Sequence, residues 1–145
     1  YNVPRKNFFG DKWIKHCGWY PDYNVRLYRK DKGWFNERQV HEAVQVEGKV
    51  GYLKSQLEHY TYKNIKDYLI RMDRYSTLAA EEMLKQGRRI SYFTILFRPI
   101  STFLKMFFLK KGFLEGYRGL ILSGLYSFYT LSKYAKLWEM SGKSR

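Results

Sequence analysis

The chain has 145 residues, a net charge of +14 and a pI near 9.8, with 45% hydrophobic and 19% aromatic residues. That composition excludes a disordered chain and fits one compact domain with a single core. The excess of cations points to a polyanionic partner: nucleic acid, an anionic membrane surface or a phosphorylated substrate.

The opening stretch, YNVPRKNFFG, reads as a strand. It has neither an initiator methionine nor an apolar leader, so the chain is expected to be a piece of a longer protein. Residues 24–30, NVRLYRK, alternate Val25 and Leu27 with Arg26 and Tyr28 and predict a second strand. KDKG at 30–33 predicts a turn. Two further strands, over 39–46 and 50–60, flank the turn-like EGK at 47–49 and predict a hairpin. The single cysteine, Cys17, excludes an internal disulfide and a cysteine-based zinc site, and suits a reducing compartment.

From Asn64 the apolar period becomes helical. Asn64 suits the N-cap and Gly87 the position after the C-cap. Between them Ile65, Tyr68, Leu69, Met72, Tyr75, Leu78, Ala79 and Met83 form an apolar stripe. Residues 88–118 crowd Phe, Leu and Ile among cations, and Pro99 predicts the first turn of a second short helix after Arg98. Each uninterrupted apolar stretch is too short for a bilayer span of about 20 residues. Such a segment suits a membrane interface or a buried helix pair with cations at its rim, and the amount of Phe favours the interface. Arg98, Phe103, Lys105, Phe107, Phe108, Lys110 and Lys111 are the residues expected to meet that surface. A short apolar helix is predicted over 119–131, followed by a basic tail that frays at its end. The fold class is therefore α+β, with short strands over 1–62 and a helical region over 63–145.

No phosphate-binding GxxxxGK[ST] or GxGxxG occurs, and His16, His41 and His59 lack metal-ligand spacing. The densest chemical segment is residues 18–42, where Trp19, Tyr20, Trp34 and Phe35 alternate with Asp22, Arg26, Arg29, His41 and Glu42. Aromatic faces beside carboxylates suit sugar rings, and arginines suit phosphates. The same residues also suit an aromatic-rich sheet with surface ion pairs, and both readings stay open here. On a regular strand His41 and Glu42 point to opposite faces, so they serve one site only at a strand end or bulge.

The blocks RKNFFGDKWIKHCGWYPDYNVRLYRK, VHE, LEHYTYKNIKDYLIRMDRYSTLAAEEM, RPISTFLKMFFLKKGFLEGYRGL and KYAKLWE occur in this order. Together they resemble the C-terminal half of bacterial family-2 glycosyltransferases of the lipopolysaccharide inner-core glucosyltransferase type. The resemblance implies the acceptor side of a GT-A fold, without the nucleotide-binding half and its DxD metal motif, and a piece that would not turn over alone. It further implies inverting transfer from a nucleotide sugar, such as a UDP-sugar, to a lipid-linked saccharide at the inner face of the cytoplasmic membrane. In that frame Glu42 is the first choice of base and Asp22 the second. His41, Arg26 and Arg29 would face the donor diphosphate, and His41 would help hold a divalent cation, Mg or Mn, bound mostly by the absent half. Trp19, Tyr20 and Trp34 would shape the acceptor pocket. The competing readings are a basic nucleic-acid module, for which Arg and aromatic residues interleave, and a non-catalytic membrane-surface adaptor.

Overall fold

The computed structural model describes residues 1–36 and 43–143, with side chains to residue 142. Its elements are β1 (Asn2–Phe9), β2 (Lys12–Trp13), β3 (Asp22–Val25), β4 (Gly33–Phe35), β5 (Val44–Val46) and β6 (Leu57–Tyr62), then α1 (Ile65–Lys85), α2 (Tyr92–Leu104) and α3 (Tyr117–Lys143). A π-helical turn (Lys105–Leu109) and a 3-10 turn (Gly112–Glu115) connect α2 to α3. The α+β class and the order of strands before helices follow the sequence expectation.

Strand β1 is the hub of the sheet. On one edge it pairs antiparallel with β3 (Arg5 opposite Asp22) and β2 (Phe8 opposite Trp13), and on the other it pairs parallel with β6 (Asn7 opposite His59). Strands β4 and β5 form a separate antiparallel pair, with Trp34 opposite Gln45. This corrects the predicted hairpin. The strand read over 39–46 is described at Val44–Val46 and pairs back to β4, whereas the strand read over 50–60 runs at 57–62 beside β1. The ladder with β1 offers β6 more backbone bonds than β5 could, which sets the partner. The strand read over 24–30 is regular only at Asp22–Val25, although beyond it the Arg26 N–H still donates to the Tyr1 carbonyl.

Helix α1 begins as expected: the Asn64 side chain accepts the Asp67 N–H at 2.8 Å, and the Asp67 carboxylate accepts the Lys63 N–H. Its buried face, however, is Tyr68, Met72, Ser76 and Ala80, while Ile65, Leu69 and Tyr75 are exposed. The cause is α3, which lies between α1 and α2. Lys136 of α3 reaches across to the Asp73 carbonyl and carboxylate and to the Ser76 and Thr77 hydroxyls, all within 2.9 Å. A buried serine is thereby satisfied, and the packing face turns toward it.

Two predicted breaks are absent. Pro99 sits inside α2, not at the start of a second helix. Proline deep in a helix costs about 3 kcal/mol, but Pro99 is buried against α3 and its carbonyl accepts the Ser127 hydroxyl at 2.9 Å. Likewise the apolar run at 119–131 and the basic tail form one helix, α3. Continuity through Pro99 also overturns the argument from short apolar stretches: Tyr92–Leu109 is long and apolar enough, by length and composition, to cross a membrane.

The two halves share one core. Ile14, Cys17 and Trp19 from the loop after β2 pack with Met106 of the π turn and Leu122 of α3, flanked by Phe9, Tyr62 and Tyr126. Glu115, its side chain 6% exposed, fixes this docking. It accepts the backbone N–H groups of Lys15 and His16 and lies 2.7 Å from His16 Nδ1. The Cys17 N–H donates to the Lys110 carbonyl. Burial raises the Glu115 pKa, but the His16 side chain and the two backbone donors outweigh it and hold the carboxyl below its ordinary value.

At Gly119 the start of α3 presses on the 3-10 turn, where a Cβ would lie 1.8 Å from the Gly112 carbonyl oxygen. Only glycine permits that approach. Gly119→Ala is expected to lower stability by roughly 3 kcal/mol or more, read as a fall in the urea midpoint; wild-type stability would contradict the close approach.

Candidate functional site

Alternation along three adjacent strands builds the site. Residues two apart share a sheet face, so Arg5 and Asn7 of β1 meet Asp22 and Asn24 of β3 on one side. On the other side they meet His59 and Thr61 of β6. Arg5, Asn7, Asp22, His59 and Thr61, with Gly18, Trp19 and Tyr126, surround a pocket of about 230 Å³.

Asp22 is its centre. Its carboxylate accepts from Arg5 Nε (3.0 Å), Arg5 Nη2 (2.6 Å), Asn7 Nδ2 (2.8 Å) and Asn24 Nδ2 (2.9 Å). Burial pushes the Asp22 pKa up, yet the Asn7 amide, the Arg5 bonds and charge, and Asn24 together bring it below the ordinary carboxylate value. Asn7 is itself buried; its amide also donates to the Trp19 carbonyl, and its oxygen accepts the Thr61 hydroxyl. His59 is pushed down by burial and by the charges of Arg5, Arg26 and Arg71, partly offset by Asp22. It is therefore neutral at pH 7.

Of the residues expected from sequence, Asp22 and Trp19 line this pocket, and Arg26 is near enough for its charge to act on His59. Trp19 is also core, 6% exposed. Tyr20 lies outside the lining: its ring meets Trp13 edge-on and its hydroxyl accepts from Gln56. Arg29 pairs with Asp31 and lines a separate groove with Tyr1, Tyr28 and Lys32. Trp34 is exposed on β4. His41 and Glu42 lie outside the described residues. Arg5, Asn7, His59, Thr61 and Tyr126 were not singled out as site residues. The signal was present, since Arg5 and Asn7 are two polar residues on the same face of β1, where Val3 and Phe9 are apolar.

Among the described residues no group of three or more His, Cys, Asp or Glu could hold a metal ion. The pocket does not fit a divalent cation. Its one carboxylate is engaged by four donor contacts, and the arginine charges that depress His59 would also repel a cation.

On the helical side, the residues expected at a membrane surface divide. Phe108, Lys105, Lys110 and Lys111 are exposed, while Phe103 and Phe107 stack at 5.6 Å and are half-buried. Arg98 is exposed, and its charge acts on Lys133 of α3. The larger exposed stripe runs along α2: Tyr92, Phe93, Leu96, Phe97, Ile100 and Leu104.

Comparison with known proteins gives the chemistry a context. Over 115 residues, covering 76% of the chain, it is 30% identical to the lipopolysaccharide core biosynthesis glycosyltransferase LpsC of Rhizobium meliloti. It is 34% identical over 130 residues, 83% of the chain, to an uncharacterized glycosyltransferase of Rickettsia typhi. The chain is homologous to part of a bacterial glycosyltransferase. An uncharacterized glycosyltransferase of Rickettsia prowazekii is 31% identical over 70% of the chain. The chain spans 43% of the LpsC length and 44% of the Rickettsia typhi relative, less than half of either. No family model and no solved structure matches it.

Arg5→Met tests the pocket. With a pKa held low in the folded state, Asp22 contributes stability that is full above the ordinary value near 3.9 and is lost as pH falls through the folded value. The variant should raise the Asp22 titration seen by NMR and lose about 1–2 kcal/mol at pH 7, a difference that shrinks as pH falls through the folded Asp22 value. An unchanged Asp22 titration would contradict the pairing.

Proposed function

We propose that the chain is the acceptor-side part of an inverting glycosyltransferase that moves a hexose from a UDP-sugar to a lipid-linked, phosphorylated saccharide of the lipopolysaccharide core. One observation carries this reading: the similarity to glycosyltransferases, one of them named for lipopolysaccharide core biosynthesis, runs over three quarters or more of the chain. The polar pocket, the net charge of +14 and the apolar stripe of α2 support it.

In this reading Glu42 removes the proton from the acceptor hydroxyl as that oxygen attacks the anomeric carbon. The bond to the diphosphate breaks with its electron pair leaving on the diphosphate, which inverts the anomeric centre. Asp22 is assigned to positioning: with Arg5, Asn7 and Asn24 already on its oxygens, it accepts a further proton poorly. It holds Arg5 at the pocket wall, where Arg5 and Arg26 supply positive charge for phosphate groups of donor or acceptor. Neutral His59 and the Thr61 hydroxyl offer hydrogen bonds to sugar hydroxyls, and Trp19 shapes the wall. His41 and Arg29 are assigned to the diphosphate side, and Tyr20 and Trp34 to the outer acceptor surface. The Mg or Mn ion expected with the donor finds no ligand set in this pocket, so no step is routed through it.

We place the protein on the inner face of the cytoplasmic membrane, with α2 lying in the interface. The contacts favour lying over crossing. The start of α2 follows α1, and its far end is tied through Glu115 to Lys15 and His16 of the β-rich half. A crossing would separate those ends across the bilayer, whereas an in-plane helix keeps both and sinks the exposed stripe into lipid.

Glu42→Gln in the intact protein is the test, read as transfer of labelled sugar to a lipid-linked core acceptor. Loss of a general base costs about 10²–10⁴-fold in turnover, with donor affinity little changed. Turnover within about threefold of wild type would remove Glu42 from the role.

A further inference from the structure

The α1–α2 connection, the start of α2 and the end of α3 enclose a groove of about 570 Å³, remote from the Asp22 pocket. Tyr126 and Thr61 place that pocket near the first turn of α1, whereas the groove begins at Leu84 and Gly87. Along α3, which carries Tyr126 of the pocket and Trp138 of the groove, the two linings are separated by about 18 Å at 1.5 Å per residue. Arg88 and Arg89 line the groove, and among the described residues its lining includes no carboxylate. Neither arginine has an ion-pair partner among the described residues.

The surrounding field is also positive. Lys133 of α3 is pushed down by burial and by the charges of Arg88 and Arg98, so three cations from three segments stand close together. Lys133 is steadied over the Tyr129 and Tyr134 rings, which stabilise a cation without neutralising it. The first turn of α2, capped by Ser91 on the Thr94 N–H, opens beside Arg88 and Arg89, and the positive end of its helix dipole adds to the field. Trp138 and Tyr92 supply amphipathic walls of the kind found at the level of lipid head groups. Tyr92, 81% exposed, belongs both to the groove and to the apolar stripe that continues through Phe93, Leu96 and Phe97.

We propose that this groove binds the phosphate of an anionic phospholipid head group, with Arg88 and Arg89 as its ligands, Trp138 and Tyr92 flanking the head group, and the acyl chains passing along the exposed stripe of α2. Charge complementarity selects an anion, and continuity with the stripe selects one that carries acyl chains. The distance from Asp22 makes it an anchoring site, not the place where the acceptor reacts. The inference rests on the reading that α2 meets lipid.

The test is sedimentation of the full chain with vesicles of phosphatidylcholine, alone or with 30% phosphatidylglycerol. Wild type should bind the anionic vesicles. Arg88→Gln/Arg89→Gln should weaken that binding roughly 20- to 30-fold, at about fivefold for each cation, with an unchanged circular dichroism spectrum. Lys54→Gln/Lys66→Gln removes the same charge from exposed sites elsewhere and should have a much smaller effect. Equal losses in the two double variants would overturn the groove while leaving α2 on the membrane. No vesicle binding by wild type would overturn the membrane reading and the groove with it. Glycerol 3-phosphate shifting the Trp138 indole signal at micromolar concentration, with no loss of vesicle binding in the arginine variant, would reassign the groove to a soluble phosphate.

Discussion

Glu115 is the contact on which the arrangement depends. A carboxylate on the short turn before α3 takes the two backbone N–H groups that open the loop after β2, and the imidazole of His16 beside them. Those N–H groups have no strand partner, so a buried acceptor is what lets the loop leave the sheet and dock on the helices. Once docked, the loop delivers Ile14, Cys17 and Trp19 to the core, and the chain then turns back into β3 at Asp22. The pocket and the helical half are thus positioned by one junction. Its carboxyl is held below the ordinary value, so the junction is at full strength above that value and loosens as acid protonates it.

The chemistry of the pocket follows from strand alternation around β1. A central strand with an arginine and an asparagine two apart needs partners for both on the same face. Asp22, Thr61 and the Trp19 carbonyl supply them. That network explains why an aspartate between an arginine and two asparagines serves as an anchor, and why the adjacent histidine stays neutral. On the helical side the governing fact is the position of α3. By packing on both α1 and α2 it buries Pro99, Ser76 and Leu137, and the opposite face of α2 stays exposed among the described residues.

Much of this was legible from residues alone. The caps of α1 at Asn64 and Gly87 read correctly because capping is local chemistry. The order of strands before helices was legible from the change in apolar period. The pairing of β6 with β1 was not, since a parallel pair some 50 residues apart leaves no local signal, whereas EGK mimics a hairpin turn. Pro99 misled for a similar reason: its local preference for a helix start was overridden by burial against α3, which is tertiary. Asp22 and Trp19, which the structure brings to the pocket lining, had stood out in the sequence through their crowded neighbourhood. Arg5 and His59 were missed because their partnership exists only across the sheet.

The proposal that this chain is part of an inverting sugar transferase acting on a lipid-linked acceptor has one direct measurement. The intact protein is incubated with a panel of labelled nucleotide sugars and a truncated lipopolysaccharide core, and the anomeric configuration of the product is read by NMR. The account predicts a single hexose added with inverted configuration. A product of retained configuration, or no transfer from any donor in the panel, would contradict it.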